Sequence, residues 1–511
     1  MKARFLCFLF CLPVFSVSAQ AKYDYTWIFG YSPSNPALHY GGTLINFETE
    51  NPTLNYFETI IGFFGDKASI SNRDGNLLAF TNGCQIQNKD LQMMEFGDSI
   101  NSGPVYAQYC NSGAFYYVND QGALFLPVPG SDSLYALFHL RLWGASSIIR
   151  DCLYSIIDAS ANNGLGKVIA KNEPLLTDTL TGMITACRHA NGRDWWVVIE
   201  ESHRFFTLPP DGKAKFHFFL FDPSGVHYQG EQQIGRLSSY QSWVGQMCFS
   251  PDGTRYASGN INNGVNFYDF DRCTGLLSNP GYIDLKADSV AAMGLAYSPN
   301  SRFLYVTTGL WILQYDMDAA DVAGSVVPVA EYDGFLSQLP TTFYHLALAP
   351  NGKIYGSSNF GTDVLHIIHH PDAPGLACEV EQHGVKMPAY HAFTMPNVPH
   401  YRLYDVPGSV CDSLGIDAPI VGTGAPIQIE PKGMRLWPNP ANDQIAIQLA
   451  PESAGQITLM DISGKIWIGQ TKAFGTELVT LQTETIPVGI YILTFQASTG
   501  VRQTQKIVVQ R

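Results

Sequence analysis

Phe249-Ser250-Pro251-Asp252-Gly253-Thr254-Arg255-Tyr256, followed by Val265-Asn266-Phe267-Tyr268-Asp269, decides the fold because it recurs. Tyr297-Ser298-Pro299-Asn300-Ser301-Arg302-Phe303 leads to Ile312-Leu313-Gln314-Tyr315-Asp316. Leu348-Ala349-Pro350-Asn351-Gly352-Lys353-Ile354-Tyr355 leads to Val364-Leu365-His366-Ile367-Ile368. The turn prolines at 251, 299 and 350 are 48 and 51 residues apart. Pro ahead of Asp/Asn-Gly is tight-turn chemistry: Pro fixes φ, and Gly accepts φ > 0. Each unit therefore reads as strand, turn, strand, with a third strand about ten residues later. Weaker copies lie upstream, at 69–80 around Asn72 and Gly75, at 187–198 around Asn191-Gly192, and at Leu124-Phe125-Leu126 with Leu134-Tyr135-Ala136-Leu137-Phe138.

Several short strands per period of about 50 residues, over positions 25–411, predict a β-propeller of six or seven blades. A pair of β-sandwiches would leave the recurrence unexplained. Aromatic residues make up 13% of the chain and charged residues only 14%, which favours half-buried strands over long surface helices.

The last stretch, 434–511, has a different rhythm. Ile445, Ile447 and Leu449 share one parity, as do Ile457 and Leu459, and then Tyr491, Leu493 and Phe495; Gly464, Gly475, Gly489 and Gly500 separate the runs. That alternation predicts a small Ig-like β-sandwich. Positions 412–433, with Pro419, Gly422, Gly424, Pro426 and Pro431, read as a linker. At the other end, Lys2 and Arg4 precede an apolar run over 5–17 and the small-residue site Val17-Ser18-Ala19, so 1–19 reads as a signal peptide. The expected organisation is signal peptide 1–19, propeller 22–411, linker 412–433 and sandwich 434–511, all-β throughout.

The tail motifs carry a resemblance. Leu436-Trp437-Pro438-Asn439-Pro440-Ala441, Asp461-Ile462-Ser463-Gly464-Lys465, Gly489-Ile490-Tyr491-Ile492-Leu493 and the Lys506-Ile507-Val508-Val509 ending resemble the C-terminal (type A) sorting domain of the type IX secretion system of Bacteroidetes. The resemblance implies export through the outer membrane to the cell surface or the medium. It makes the secretion machinery a partner, with Pro438, Asn439, Pro440, Gly489, Tyr491 and Lys506 as sorting-motif residues. The region ahead of it resembles secreted Bacteroidetes propeller proteins at Thr81-Asn82-Gly83-Cys84, at 189–196, at Asp271-Arg272-Cys273-Thr274-Gly275 and at 375–411. That second resemblance implies no particular activity.

Charge narrows the partners. The chain carries 30 basic and 44 acidic residues, and no basic run is interleaved with aromatics, which argues against nucleic acid. No apolar run is long enough for a transmembrane helix. Eight cysteines lie beyond the signal segment, and in an exported protein an even count favours disulfides. Cys378 and Cys411 bracket the end of the propeller and are expected to pair; Cys84 and Cys110 form a second expected pair.

The chain lacks Gly-x-Ser-x-Gly, His-Glu-x-x-His and a P-loop ending in Gly-Lys-Ser/Thr. Positions 366, 369 and 370 hold histidines, but residues three or four apart on a strand do not converge on one ion. Asp269 with Asp271, and Asp316 with Asp318, share a face and read as acceptors for strand-end backbone rather than as a calcium site. No metal site and no cofactor are expected.

His189, Arg193, Asp194 and Trp195, with Trp196, form the densest polar and aromatic group and the candidate ligand site. The competing reading places Trp195 and Trp196 on opposite buried faces of one strand, with Arg193 and Asp194 satisfying the turn. The functional expectation is an exported binding or scaffold protein for an extracellular glycan or protein ligand. The alternative is a secreted propeller enzyme, a lactonase-like hydrolase or a glycan-active lyase or hydrolase.

Overall fold

The computed structural model describes residues 21–111, 116–144, 148–202, 212–237, 244–261, 264–285, 293–414, 434–437, 441–449, 454–461, 465–472, 478–498 and 502–510. The expected signal peptide and most of the expected linker lie outside these residues, as do Pro438, Asn439 and Pro440. The chain divides into two compact units, Met1–Ile427 and Gln428–Arg511.

The first unit is a β-propeller. Its first two sheets have three strands each: β1 (Thr26–Asn35), β2 (Tyr40–Asn46) and β3 (Thr53–Phe57), then β4 (Ala68–Ser71), β5 (Leu77–Thr81) and β6 (Ile86–Asn88). A continuous seven-stranded sheet follows: β7 (Ala123–Pro127), β8 (Leu134–Trp143), β9 (Ile148–Asp158), β10 (Lys167–Arg188), β11 (Trp195–Glu201), β12 (Ala214–Asp222) and β13 (Gly225–Ile234). Two four-stranded sheets come next, β14 (Gly245–Phe249), β15 (Arg255–Asn260), β16 (Val265–Asp271) and β17 (Leu276–Ile283), then β18 (Gly294–Tyr297), β19 (Phe303–Thr307), β20 (Trp311–Asp316) and β21 (Val327–Glu331). A two-stranded ribbon, β22 (Leu336–Ser337) with β23 (Leu339–Pro340), precedes the last sheet of β24 (Phe343–Leu348), β25 (Ile354–Ser358), β26 (Thr362–Ile368) and β27 (Val380–His391).

Strand β10 explains the fusion in the seven-stranded sheet. Its residues 167–180 pair with β9, and its residues 180–188 pair with β11. The strand ends one sheet as its outermost member and opens the next as its innermost. Each repeat seen in the sequence is the hairpin joining an innermost strand to the second strand: β14–β15, β18–β19, β24–β25 and, upstream, β4–β5, β7–β8 and β10–β11. The turn chemistry is as expected. Gly253 and Gly352 sit at φ 74° and 77°, while Ser301 takes the same place at φ 63°. Asp252 accepts from the Thr254 backbone (2.9 Å) and the Ser250 hydroxyl (2.6 Å), and Asn300 likewise accepts from Ser298 and Arg302.

The first and last sheets meet face to face. Trp27, Phe29, Ile45 and Phe47 bury against Tyr355, Leu365, Ile367 and Met387. After β27 the chain turns inward, and residues 392–406 run along the axis beside the innermost strands. Near its start, Lys67 Nζ donates to the Ala392 carbonyl (2.9 Å), and the Thr394 hydroxyl donates to the Gly65 carbonyl (2.7 Å). Midway, Asn397 Nδ2 donates to the carbonyls of Ala123 (3.0 Å) and Ile184 (2.9 Å). Gln121 Nε2 donates to both the Asn397 side chain and the Met247 carbonyl. Farther along, His400 bonds the Phe249 carbonyl, the Tyr401 hydroxyl donates to the Phe125 carbonyl (2.8 Å), and Arg402 pairs with Asp24 (2.6 Å). The segment thus advances from the beginnings of the inner strands to their ends.

This path corrects the expected pairing of Cys378 with Cys411. Cys411 is bridged to Cys273 in the turn between β16 and β17, with Cα atoms 5.7 Å apart, and Cys84 is bridged to Cys110. Cys378 is unbridged and buried beside Tyr305 and Phe303. The axial run carries Cys411 away from Cys378, which sequence proximity alone does not reveal.

The second unit has two sheets, β28 (Arg435–Trp437), β29 (Gln444–Gln448) and β32 (Leu478–Gln482) in one, and β31 (Ile466–Lys472), β30 (Gly455–Asp461), β33 (Gly489–Ala497) and β34 (Arg502–Val509) in the other. Ile445, Ile447, Leu449, Ile457, Leu459, Tyr491, Leu493 and Phe495 all enter one buried core, the parity that the alternation predicts.

Candidate functional site

The group chosen from sequence is brought together, but as an anchor. Asn191 Oδ1 accepts from the backbone of Arg193 and Asp194 (both 3.0 Å), and Arg193 pairs with Asp194 at 2.7 Å. The His189 ring bonds the Cys273 carbonyl (3.2 Å). The neighbouring Ala190 carbonyl accepts from the Val406 backbone (2.8 Å), so the hairpin holds the end of the axial segment. Trp195 is 0% exposed, with the Arg188 guanidinium 3.8 Å from its ring centre. It offers no face to a ligand, and Trp195 and Trp196 bury on opposite sides of β11 in two separate cores. Replacing both His189 and Arg193 with Ala is therefore expected to lower the melting temperature, by about 1–3 kcal/mol of lost stability, because Asp194 is left buried with one polar partner fewer. Thermal unfolding of the double variant checks this.

The carboxylate pairs also serve structure. Asp271 accepts from Cys273 and Thr274, Asp269 from Asn279, and Asp316 from Arg302. His366 is buried, while His369 and His370 face Glu381 and Glu379. Asp178, Glu201 and His217 bring three ligand atoms within 4.8 Å of one another. Lys215 already places its ammonium 2.7 Å from Glu201 and from Glu231, so a cation of the protein's own neutralises that cluster.

Sequence reasoning missed the polar cluster at the axis. Asp66 and Lys67 precede β4, Asn119 and Asp120 precede β7, and Tyr344 and His345 open β24. Asp120 accepts from the Tyr344 hydroxyl and lies 3.8 Å from His345 Nε2. Asp66 Oδ1 accepts from the Gly122 backbone (2.9 Å). Burial pushes Asp66 and Asp120 up to about 7, Lys67 down to about 7 and His345 down to about 3. The signal in the sequence was a charged residue two or three positions ahead of two successive inner strands.

The axial residues 395–400 line a partly open cavity of about 40 Å³ together with Gln121, Gln246 and His345. That is room for two or three waters, against the roughly 300–1,000 Å³ of a ligand pocket. For Asp66 the folded carboxyl binds its proton more tightly than the unfolded one. Its contribution to stability is present below about pH 4 and is lost as pH rises through about 7. Asp66→Asn should accordingly flatten the fall in melting temperature between pH 5 and pH 8, which thermal melts across that range would check.

An exposed apolar surface lies at the edge formed by the last two sheets. Leu310, Phe335, Leu336, Leu339 and Phe360 are 53%, 42%, 61%, 46% and 40% exposed. Backbone hydrogen bonds from Tyr332 to Leu310, Thr341 to Phe335 and Asn359 to Thr342 join their loops.

The tail unit carries the identifying observation. Its residues 435–510 match the family described as the secretion system C-terminal sorting domain. The tail is a type IX secretion sorting domain. Within this sorting domain Gly489 opens β33, the Tyr491 hydroxyl donates to the Pro487 carbonyl (2.7 Å), and Lys506 pairs with Ile492 across β33 and β34. The sorting domain implies delivery to the outer-membrane surface or beyond, and no helix among the described residues is long and apolar enough to cross a membrane.

No curated protein matches the chain in sequence. Among solved structures, a Bacteroides uniformis protein proposed to be a 6-phosphogluconolactonase is similar at TM-score 0.41 and 12% identity, covering 73% of this chain and 98% of that one. The β-propeller domain of Cps50 (Swd1) from Myceliophteria thermophila is similar at 0.38 and 8%, covering 67% and 95%. A protein from Lactobacillus plantarum is similar at 0.36 and 12%, covering 72% and 98%. At these scores and identities the likeness carries nothing about activity.

Proposed function

We propose that this chain is an exported binding or scaffold protein. A signal peptide at 1–19 would start its export and the sorting domain would complete it; a propeller over 22–411 would do the binding. Counting β10 in both of its sheets, the reading takes the propeller as seven-bladed. One observation carries the binding reading: among the described residues, 392–401 pack against the inner strands and leave a cavity of only about 40 Å³ beside residues 395–400, where a propeller enzyme would need room for a substrate. Recognition is then left to the outer surface, and the apolar edge around Phe335 and Leu336 is the surface best suited to it. The experiment is a glycan and peptide binding screen on the purified chain, repeated with Leu336→Ser and Leu339→Ser together. Loss of the ligand with unchanged melting supports the reading; binding that ignores this pair of changes counts against it.

A second reading has its own support in the convergence of Asp66, Asp120, Tyr344 and His345 at the axis. Hydrolysis of a lactone or a glycan by the purified chain, lost in Asp120→Asn while the fold is kept, would replace the binding reading with the enzymatic one.

A further inference from the structure

We propose that the surface around Phe335 and Leu336 takes a protein segment that is apolar at its centre and basic at its flanks. This rests on the binding reading above and names the partner class.

The loop is held in one shape before any partner arrives. The Phe335 ring stacks on His383 with centroids 4.1 Å apart. Its carbonyl accepts from the Tyr332 hydroxyl (2.7 Å), and its backbone N–H donates to Asp333 (2.9 Å). The short ribbon of β22 and β23 fixes Leu336 and Leu339 on either side of its turn. A preformed apolar surface loses little conformational entropy on binding.

The chemistry favours protein over sugar. Leu310, Leu336 and Leu339 offer no hydrogen bonds, whereas a saccharide needs several polar partners along with its aromatic platform. One face of Phe335 is already covered by His383.

The charges select the flanks. Glu331 is exposed, and Asp333 has its carboxylate 40% exposed. Neither is paired with a lysine or arginine among the described residues. Asp363 nearby is matched by Lys386. Burial would raise the Asp333 carboxyl, but the Phe335 backbone and His383 outweigh it and hold the group below its ordinary value. Asp333 is bonded to His383 Nε2 (2.9 Å), while exposed Glu331 has no lysine or arginine partner among the described residues, so it gives the apolar edge a negative charge, in a chain whose formal net charge is −14. Complementary potential sets partner choice and the rate of encounter more than raw affinity.

The test uses the purified chain and fluorescein-labelled 12-residue peptides with a Leu/Phe/Ile core. The cores are flanked by Lys/Arg, by Glu/Asp, or by Ser, and binding is read by fluorescence polarisation. The basic-flanked set should bind at least tenfold more tightly than the acidic-flanked set at low salt, with the advantage shrinking at high salt. Glu331→Lys combined with Asp333→Asn should erase that preference; Asn keeps an acceptor for the Phe335 backbone, so the loop shape survives. Equal binding of all three sets, still lost in Leu336→Ser with Leu339→Ser, would overturn the partner class and leave the surface reading standing. Binding indifferent to Leu336 and Leu339 would overturn both.

Discussion

A chain ended after Gly415 is expected to fold and to accumulate in the periplasm instead of reaching the cell surface or the medium. Two features lead there. The sorting domain has its own buried core, built from its own alternating strands. The propeller's last fastening, Cys411 to Cys273, lies before the cut. The effect on export should be close to complete, because the address is removed while the cargo is intact. Fractionation with immunodetection, alongside a melting curve of the periplasmic material, gives the measurement. Wild-type levels in the medium would refute the routing role; loss of folding would refute the independence of the two units.

The largest expected effect on stability comes from Asn397→Ala. The Asn397 side chain is 6% exposed and serves the carbonyls of Ala123 and Ile184 and the Gln121 amide. Removing it leaves two carbonyls and one amide N–H short of a partner inside the axis. At about 1–3 kcal/mol for each buried group left unsatisfied, a loss of about 3–5 kcal/mol is expected, partly relieved by a water entering the cavity. That is a large share of the roughly 5–15 kcal/mol that holds a typical domain together. Denaturant unfolding of Asn397→Ala against Asn397→Asp would read it. A shift within ±0.5 kcal/mol for the Ala variant would mean that the segment does not sit where it is placed here.

What the sequence made legible were features written in local chemistry. The Pro-Asp/Asn-Gly turns marked the hairpins that begin the blades, because the positive φ at Gly253 and Gly352 favours glycine, although Ser301 also adopts it. Strict parity at Ile445, Ile447 and Leu449 marked the sandwich core. What stayed hidden depends on partners far away in the chain. Residues 392–406 contain Pro396 and Pro399 and show no strand or helix period, so nothing in them signalled the inner strands they pack against. Their partners are Lys67, Gln121 and Ile184, some 200 to 325 positions upstream. The misassigned partner of Cys411 follows from the same long return. The group at His189 shows the opposite error. Its alternation already pointed to burial on both faces of β11, and polar density was read as a site where it ties a hairpin to the axial segment.

Hydrogen–deuterium exchange over residues 392–406 of the purified, exported chain tests the filled axis most directly. The account predicts slow exchange at Asn397 and Val406, whose amides donate to the carbonyls of Lys67 and Ala190, far slower than in the exposed loop at 49–51. Exchange as fast as in that loop would contradict it: the axis would then be open, and the buried carboxylates at Asp66 and Asp120 would be within reach of a substrate.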